Sequence, residues 1–197
     1  MILSDRDIFK EIDAGNIICS PFEPKNVSNS SLDLRLGRWI EYYEPHRNDK
    51  PVKISIDRTG KLTVLNAHSS SKFDLLQHFD YKGDDLIKGT KYTLIPDEFI
   101  LAQTLEIVGH PHDRIISQVL DKSTLARLGI SVCFSAGYID AGNVLSITLE
   151  IKNNGNRPVE LQYGMHIAQL KFQYLSSPCL NKYNGKYLNS HTIQSAK

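Results

Sequence analysis

Val144-Leu-Ser-Ile-Thr-Leu-Glu-Ile151 decides the fold class of this chain. Apolar and polar residues alternate there at period two, as in a strand with one face against a core. On that reading Leu145, Ile147, Leu149 and Ile151 face the core, while Ser146, Thr148 and Glu150 point away from it. Downstream, Asn153-Asn-Gly-Asn156 and Pro158 make a strong turn ahead of another strand. Upstream, strand signals recur at Phe99 to Thr104, Tyr92 to Leu94, Leu62 to Leu65 and Ile54 to Ile56. Ser30-Ser-Leu-Asp-Leu-Arg-Leu-Gly37 alternates in the same way through Leu32, Leu34 and Leu36. Helical patterning is confined to two places. Ser4-Asp-Arg-Asp7 resembles a capping box, followed by an apolar stripe of Ile8, Phe9 and Ile12 and a stop at Gly15. Ser123 to Leu128 allows a turn or two. The expected fold is mainly β, a sandwich or rolled sheet with a short N-terminal helix.

At 197 residues the chain fits one domain, 1–197, with length enough for a proper core. Within it a polar stretch, about 45–90, reads as an insertion with excursion strands, broken by Gly60, Ser69-Ser-Ser71 and Gly83. Hydrophobic residues make up 41% and charged ones 23%, which excludes a disordered or fibrous protein. A net charge of +1 offers no broad attraction to nucleic acid or an anionic membrane, so any basic site is local. No apolar run has the length of a membrane span, and Met1-Ile-Leu-Ser-Asp-Arg6 lacks the layout of a secretory signal. A cytoplasmic protein is expected. Cys19, Cys133 and Cys179 lie far apart and read as free, mostly buried thiols. His110-Pro-His112 has no third ligand nearby and reads as a surface loop, not a metal clip.

Three segments carry groups suited to chemistry. Glu150 stands on the non-core face of its strand, and Asp140 precedes it at a tight Asp-Ala-Gly turn. Two carboxylates framing one strand suit a proton carrier and a ligand-orienting acceptor; the alternative is a solvated sheet face. Lys122-Ser-Thr124 with Arg127 offers an ammonium, two hydroxyls and a guanidinium in one short segment. That set suits an anion cradle, or a helical turn whose Arg127 pairs with Asp121 or Asp140. The tail at about 176–197 holds Lys182, Tyr183, Asn184, Gly185, Lys186 and Tyr187, a composition that suits a flap over an anion or a solvated terminus.

Taken in order, these segments resemble the dCTP deaminase and dUTPase superfamily. Lys122 to Gly129 is similar to that family's Arg-Ser-Ser-Leu-Ala-Arg-Leu-Gly block, and Ser135 to Gly142 to its pyrimidine-reading hairpin. Leu149-Glu150 matches the strand with the catalytic glutamate, and Tyr183-Asn-Gly-Lys-Tyr187 the closing C-terminal motif. Ser30 to Gly37 and Ile95 to Glu106 resemble its earlier blocks. The resemblance implies a distorted jelly-roll, β-clip-like fold of dUTPase type. It also implies hydrolytic deamination of dCTP to dUTP and ammonia without zinc, and the zinc-deaminase pattern of His-x-Glu with a later Cys-x-x-Cys is missing. Carried over by motif, Glu150 would be general base and acid, Ser123 would hold the water or the exocyclic amine, and Arg127 would steady the developing charge. Ala136 and Gly137 would read the pyrimidine edge, and Asp140 the deoxyribose hydroxyl. Lys122, Thr124, Tyr183 and Lys186 would hold the triphosphate with Mg²⁺ on its oxygens. A homotrimer with sites at subunit junctions follows from the same likeness, with dTTP as a candidate inhibitor.

Three departures bear on phosphate binding. Lys122 replaces the usual arginine, Asn143 the customary aromatic after Asp-x-Gly, and Ser190 a tail glutamine. Ala136-Gly-Tyr-Ile-Asp140 resembles the hairpin of bifunctional enzymes that go on to release dUMP and pyrophosphate, which sets up the first alternative. The second is a non-catalytic nucleotide-binding trimer.

Overall fold

The computed structural model describes residues 1–43, 53–56, 62–65, 70–77 and 90–194. Helix α1 (Asp5–Asp13) starts where the capping box places it. The Ser4 hydroxyl accepts the Asp7 N–H, and the Asp7 carboxylate accepts the Ser4 N–H. Gly15 follows the C-cap with φ +73°, a left-handed conformation glycine adopts without strain. Ile8 is fully buried, and Glu11 fills the inner face by accepting from Tyr174 Oη and Asn16 Nδ2. Among the described residues no helix is long and apolar enough to cross a membrane.

The remainder is antiparallel β-structure. After α1 come β1 (Ile18–Ser20), β2 (Val27–Ser28) and the long β3 (Ser31–Tyr43). Then β4 (Lys53–Ile56) and β5 (Leu62–Leu65) pair with each other, and β6 (Ser70–Asp74) returns to β3. Ser70 and Ser71 therefore lie in a strand, not in the expected break; Gly60, Ser69 and Gly83 lie outside the described residues. Next are β7 (Tyr92–Leu94), β8 (Phe99–His110), β9 (Ile115–Asp121) and the short helix α2 (Ser123–Arg127). β10 (Ile130–Ser131), β11 (Tyr138–Ile139), β12 (Asn143–Asn153), β13 (Val159–Leu161) and β14 (His166–Tyr174) complete the order. The main sheet runs β10-β12-β8-β3-β14-β9-β11, with β1, β2 and β6 attached beside β8 and β3. The expected turn at Asn153 forms: its buried amide donates to Leu94 O and Arg157 O and accepts from Gly155 N.

β3 belongs to both halves of this curled sheet. Its first residues pair with β14 and its later ones with β8. Gly37 sits at the handover, where a Cβ would stand 2.9 Å from the carbonyl oxygens of Gln103 and Thr104; only glycine lets β8 come so near. Leu34, Leu36, Ile100, Leu149, Ile167 and Phe172 fill the core, each contributing about 1.5–3 kcal/mol by burial. A buried ion pair crosses from β3 to β8. Glu106 accepts from Arg35 Nε at 2.6 Å and from Arg35 N at 2.9 Å, and Arg35 Nη1 donates to Glu23.

The alternation expected of β12 breaks in its middle. Pairing with β8 shifts register between Ser146 and Thr148, so Leu145 lies on the same cavity as Thr148 and Glu150, and Ser146 is buried. Thr104 on β8 fills the gap. Its hydroxyl donates to Glu106 O (2.8 Å) and accepts from Ile147 N (2.9 Å), while its carbonyl accepts from Ser146 Oγ (2.8 Å). Irregular backbone inside a core is stable only when its polar groups are satisfied in this way.

His110 corrects a second expectation. It closes β8 in full burial with Nε2 3.0 Å from Ser117 Oγ; the exposed loop residue is His112. Burial pushes the His110 pKa down to about 4. The three cysteines are free and half-buried, and burial pushes the thiols of Cys19 up to about 12 and Cys133 up to about 11.

Two outcomes follow for stability. Thr104→Val leaves the Ile147 N–H buried without an acceptor and lowers unfolding stability in urea by about 1–3 kcal/mol, whereas Thr104→Ser restores most of it. For His110 the unfolded ring binds a proton below its ordinary value of 6.5, and the folded ring only near 4. Stability therefore falls as pH drops from about 6.5 towards 4, by up to about 1.4 kcal/mol per pH unit from this group, and His110→Gln flattens that slope in urea titrations at stepped pH.

Candidate active site

Glu150 faces a cavity of about 340 Å³ that also receives Ala136, Asp140 and Tyr183. Four of the residues singled out in the sequence thus converge. Gly137 lines a smaller adjoining cleft of about 20 Å³, together with Ala136, Cys133 and Glu150. A Cβ on Gly137 would stand 2.4 Å from Cys133 Sγ and 2.9 Å from Val119 O. Glycine at this position lets the 135–137 segment press against β9, where Gly137 O accepts from Val119 N at 2.8 Å. Ala136 is thereby held at the cavity wall.

The two carboxylates differ in setting. Asp140 is exposed at the end of β11, while Glu150 is half-buried on β12. Neither has a hydrogen-bond or ion-pair partner for its side chain among the described residues. An unpaired, partly desolvated carboxylate in a cavity is suited to moving a proton.

The tail lies across this cavity in the same chain. Tyr183 N donates to Ala141 O, and Tyr183, Tyr187, Ser190 and Gln194 all contribute to the cavity wall. Tyr183, Tyr187 and Ser190 are half-buried against the cavity, while Lys182, Asn184, Gly185 and Lys186 are exposed. Lys186 is exposed, its ammonium 4.8 Å from the centre of the Tyr187 ring.

The cradle segment lies elsewhere. Ser123 opens α2, and Ser123, Thr124 and Arg127 are exposed, with no side-chain hydrogen bond or ion pair among the described residues. The alternative pairing of Arg127 with Asp121 or Asp140 does not form; Asp121 Oδ1 accepts from Val132 N instead. Lys122 Nζ is bound to Asp33 Oδ2 at 2.6 Å. The described cavity wall therefore contains two carboxylates and no lysine or arginine.

Sequence reading missed the aromatic part of the wall. Tyr43 and Phe99 line it and stack at 6.3 Å with 14° between planes, and Phe134, outside the wall, meets Phe99 edge-on. These residues lie in three separate segments, so no local pattern announces them.

The dCTP deaminase-like family model matches residues 2–175. A curated relative from a Nocardioides species named "dCTP deaminase, dUMP-forming" is 36% identical over 188 residues, covering 95% of this chain and 87% of its own. One of the same name from Methanoregula boonei is 34% identical over 200 residues, covering 100% and 97%. The crystal structure of the 2'-deoxycytidine 5'-triphosphate deaminase from Agrobacterium tumefaciens shares the fold at TM-score 0.58 and 21% identity. That alignment covers 87% of this chain and about half (47%) of the other. With its main sheet, its N-terminal helix and the convergence of Glu150, Asp140 and the 135–137 segment, the chain belongs to the dCTP deaminase-like family.

Proposed function

We propose that this protein converts dCTP and two waters to dUMP, ammonia and pyrophosphate. The dUMP-forming relatives favour this outcome over release of dUTP, the product expected from the deaminase motifs alone. The hairpin Ala136-Gly-Tyr-Ile-Asp140 supports the same choice. In the first half, Glu150 takes a proton from water as its oxygen attacks C4 of cytosine, then returns protons to the ring nitrogen and the leaving amine. Ala136 and Gly137 hold the pyrimidine edge through backbone groups, and Asp140 accepts from the deoxyribose hydroxyl. In the second half, a water aligned with the help of Asp140 attacks the α-phosphorus and pyrophosphate departs.

The observation that carries this reading is the gathering of Glu150, Asp140 and Ala136 on one cavity, whose charge is one-sided. A triphosphate cannot settle beside Asp140 and Glu150 without cations, yet the described wall has none. Arg127, without an ion-pair partner among the described residues, stands exposed on α2 with Ser123 and Thr124. A homotrimer that brings one protomer's α2 to the next protomer's cavity supplies the missing charge, and Lys186 adds to it from the tail. Mg²⁺ carried by the phosphates suits this wall, whose exposed Asp140 carboxylate is a hard oxygen donor. Bound there, it would neutralise phosphate charge and leave Glu150 free for the proton.

Incubation with dCTP and Mg²⁺ gives ammonia, pyrophosphate and dUMP in equal amounts; accumulation of dUTP would restore the simpler deaminase. Glu150→Gln lowers ammonia release by at least about a thousandfold while leaving nucleotide binding measurable. Mixing unfolded Glu150→Gln with Arg127→Ala and refolding them together regains about one quarter of the parent rate, because that share of junctions pairs an intact Glu150 with an intact Arg127. No recovery on mixing would place both groups in one protomer's site.

A further inference from the structure

Asn143 stands where an aromatic residue is customary, and it is 5% exposed at the start of β12. Its Oδ1 accepts the Asn189 N–H at 3.0 Å. Further along the strand, Thr148 Oγ1 accepts the Gln194 N–H at 3.1 Å. Between them the Ser146 N–H donates to Ser190 O at 2.9 Å. Asn143, Thr148, Ser190 and Gln194 all border the cavity.

We propose that Asn143 and Thr148 are positioning residues that moor the tail over the cavity before any nucleotide arrives. The idea deepens the proposed function, because it concerns the closing element of that same site. Residues 175–194 form no helix or strand, so their N–H groups lack the partners that regular structure provides. A side-chain oxygen on the neighbouring strand supplies one. An aromatic ring at 143 or a valine at 148 offers no such acceptor. Mooring by protein groups holds Tyr183 near the cavity without help from phosphate, and so removes part of the ordering cost from nucleotide binding. It also offsets the lack of a glutamine at 190, since the tail is held by its backbone whichever side chain stands there.

Hydrogen exchange on the full chain without nucleotide tests this directly. The amides of Asn189 and Gln194 are expected to exchange slowly in the parent protein. Asn143→Leu speeds Asn189 by about tenfold, and Asn143→Asp, which keeps an acceptor oxygen, restores protection. Thr148→Val removes the other acceptor at nearly constant shape and exposes only Gln194, a milder change should Asn143→Leu disturb folding. With dCTP, Asn143→Leu raises KM by about three- to tenfold and lowers kcat less, a split that a merely destabilised protein does not give. Unstructured-chain exchange of both amides in the parent, or unchanged protection in both variants, overturns the mooring. Protected amides in a protein that turns over no dCTP support the mooring and overturn the proposed reaction.

Discussion

The site depends on how one irregularity in β12 is satisfied. A strand of strict alternation would put Leu145 with Ile147 and Leu149 against the core, and Ser146 with Glu150 on the far side. The register shift between Ser146 and Thr148 instead brings Leu145, Thr148 and Glu150 to one cavity. Such a shift leaves the Ile147 N–H and the Thr104 carbonyl without ladder partners, and each would cost about 1–3 kcal/mol if left bare in the core. The Thr104 hydroxyl and the Ser146 hydroxyl supply those partners. Thr104 also touches Glu106 O, next to the carboxylate that binds Arg35. The buried ion pair and the register shift are thus neighbours on β8.

Charge separation is the second organising feature. Within one chain the cavity is acidic on its described wall, and Arg127 is turned outward on α2. Under the proposed function, an Arg127 paired with Glu150 in the same protomer would hold that carboxylate as an ion pair before substrate came. In the proposed trimer, holding the two on different surfaces leaves both groups uncommitted until chains and nucleotide meet. On that proposal the exposed helix of five residues keeps Ser123, Thr124 and Arg127 without a side-chain partner among the described residues.

Much of this was legible in the sequence, and the limits are physical. The capping box at Ser4 and the turn at Asn153 are short-range devices, and each forms as its residues dictate. Glu150, Asp140, Ala136 and Tyr183 were visible because their motifs are local, and they converge on the cavity. The phase of β12 was not visible, since it is set by a threonine about forty residues away in sequence on β8. His110 was misread for a related reason: a Pro-flanked histidine looks like loop, but its partner Ser117 lies on the following strand across the turn. The stacked Tyr43 and Phe99 belong to strands paired through long-range contacts, which no window of sequence records.

Lys122 shows how a departure from the family pattern becomes intelligible once its neighbours are known. An arginine would offer a planar fork able to hold Asp33 and a phosphate together, whereas a lysine ammonium is a single compact charge. Here that charge sits 2.6 Å from Asp33 Oδ2, with the side chain only 25% exposed, and His166 Nδ1 lies 3.9 Å from the same oxygen. Committed to Asp33, Lys122 ties the start of α2 to β3 and has little left to give a triphosphate. Under the proposed function, phosphate binding then falls to Arg127, Lys186 and the magnesium ion. A site relieved of one phosphate ligand gains from a tail that is already in place, and Asn143 and Thr148 hold it there through bonds that require no phosphate.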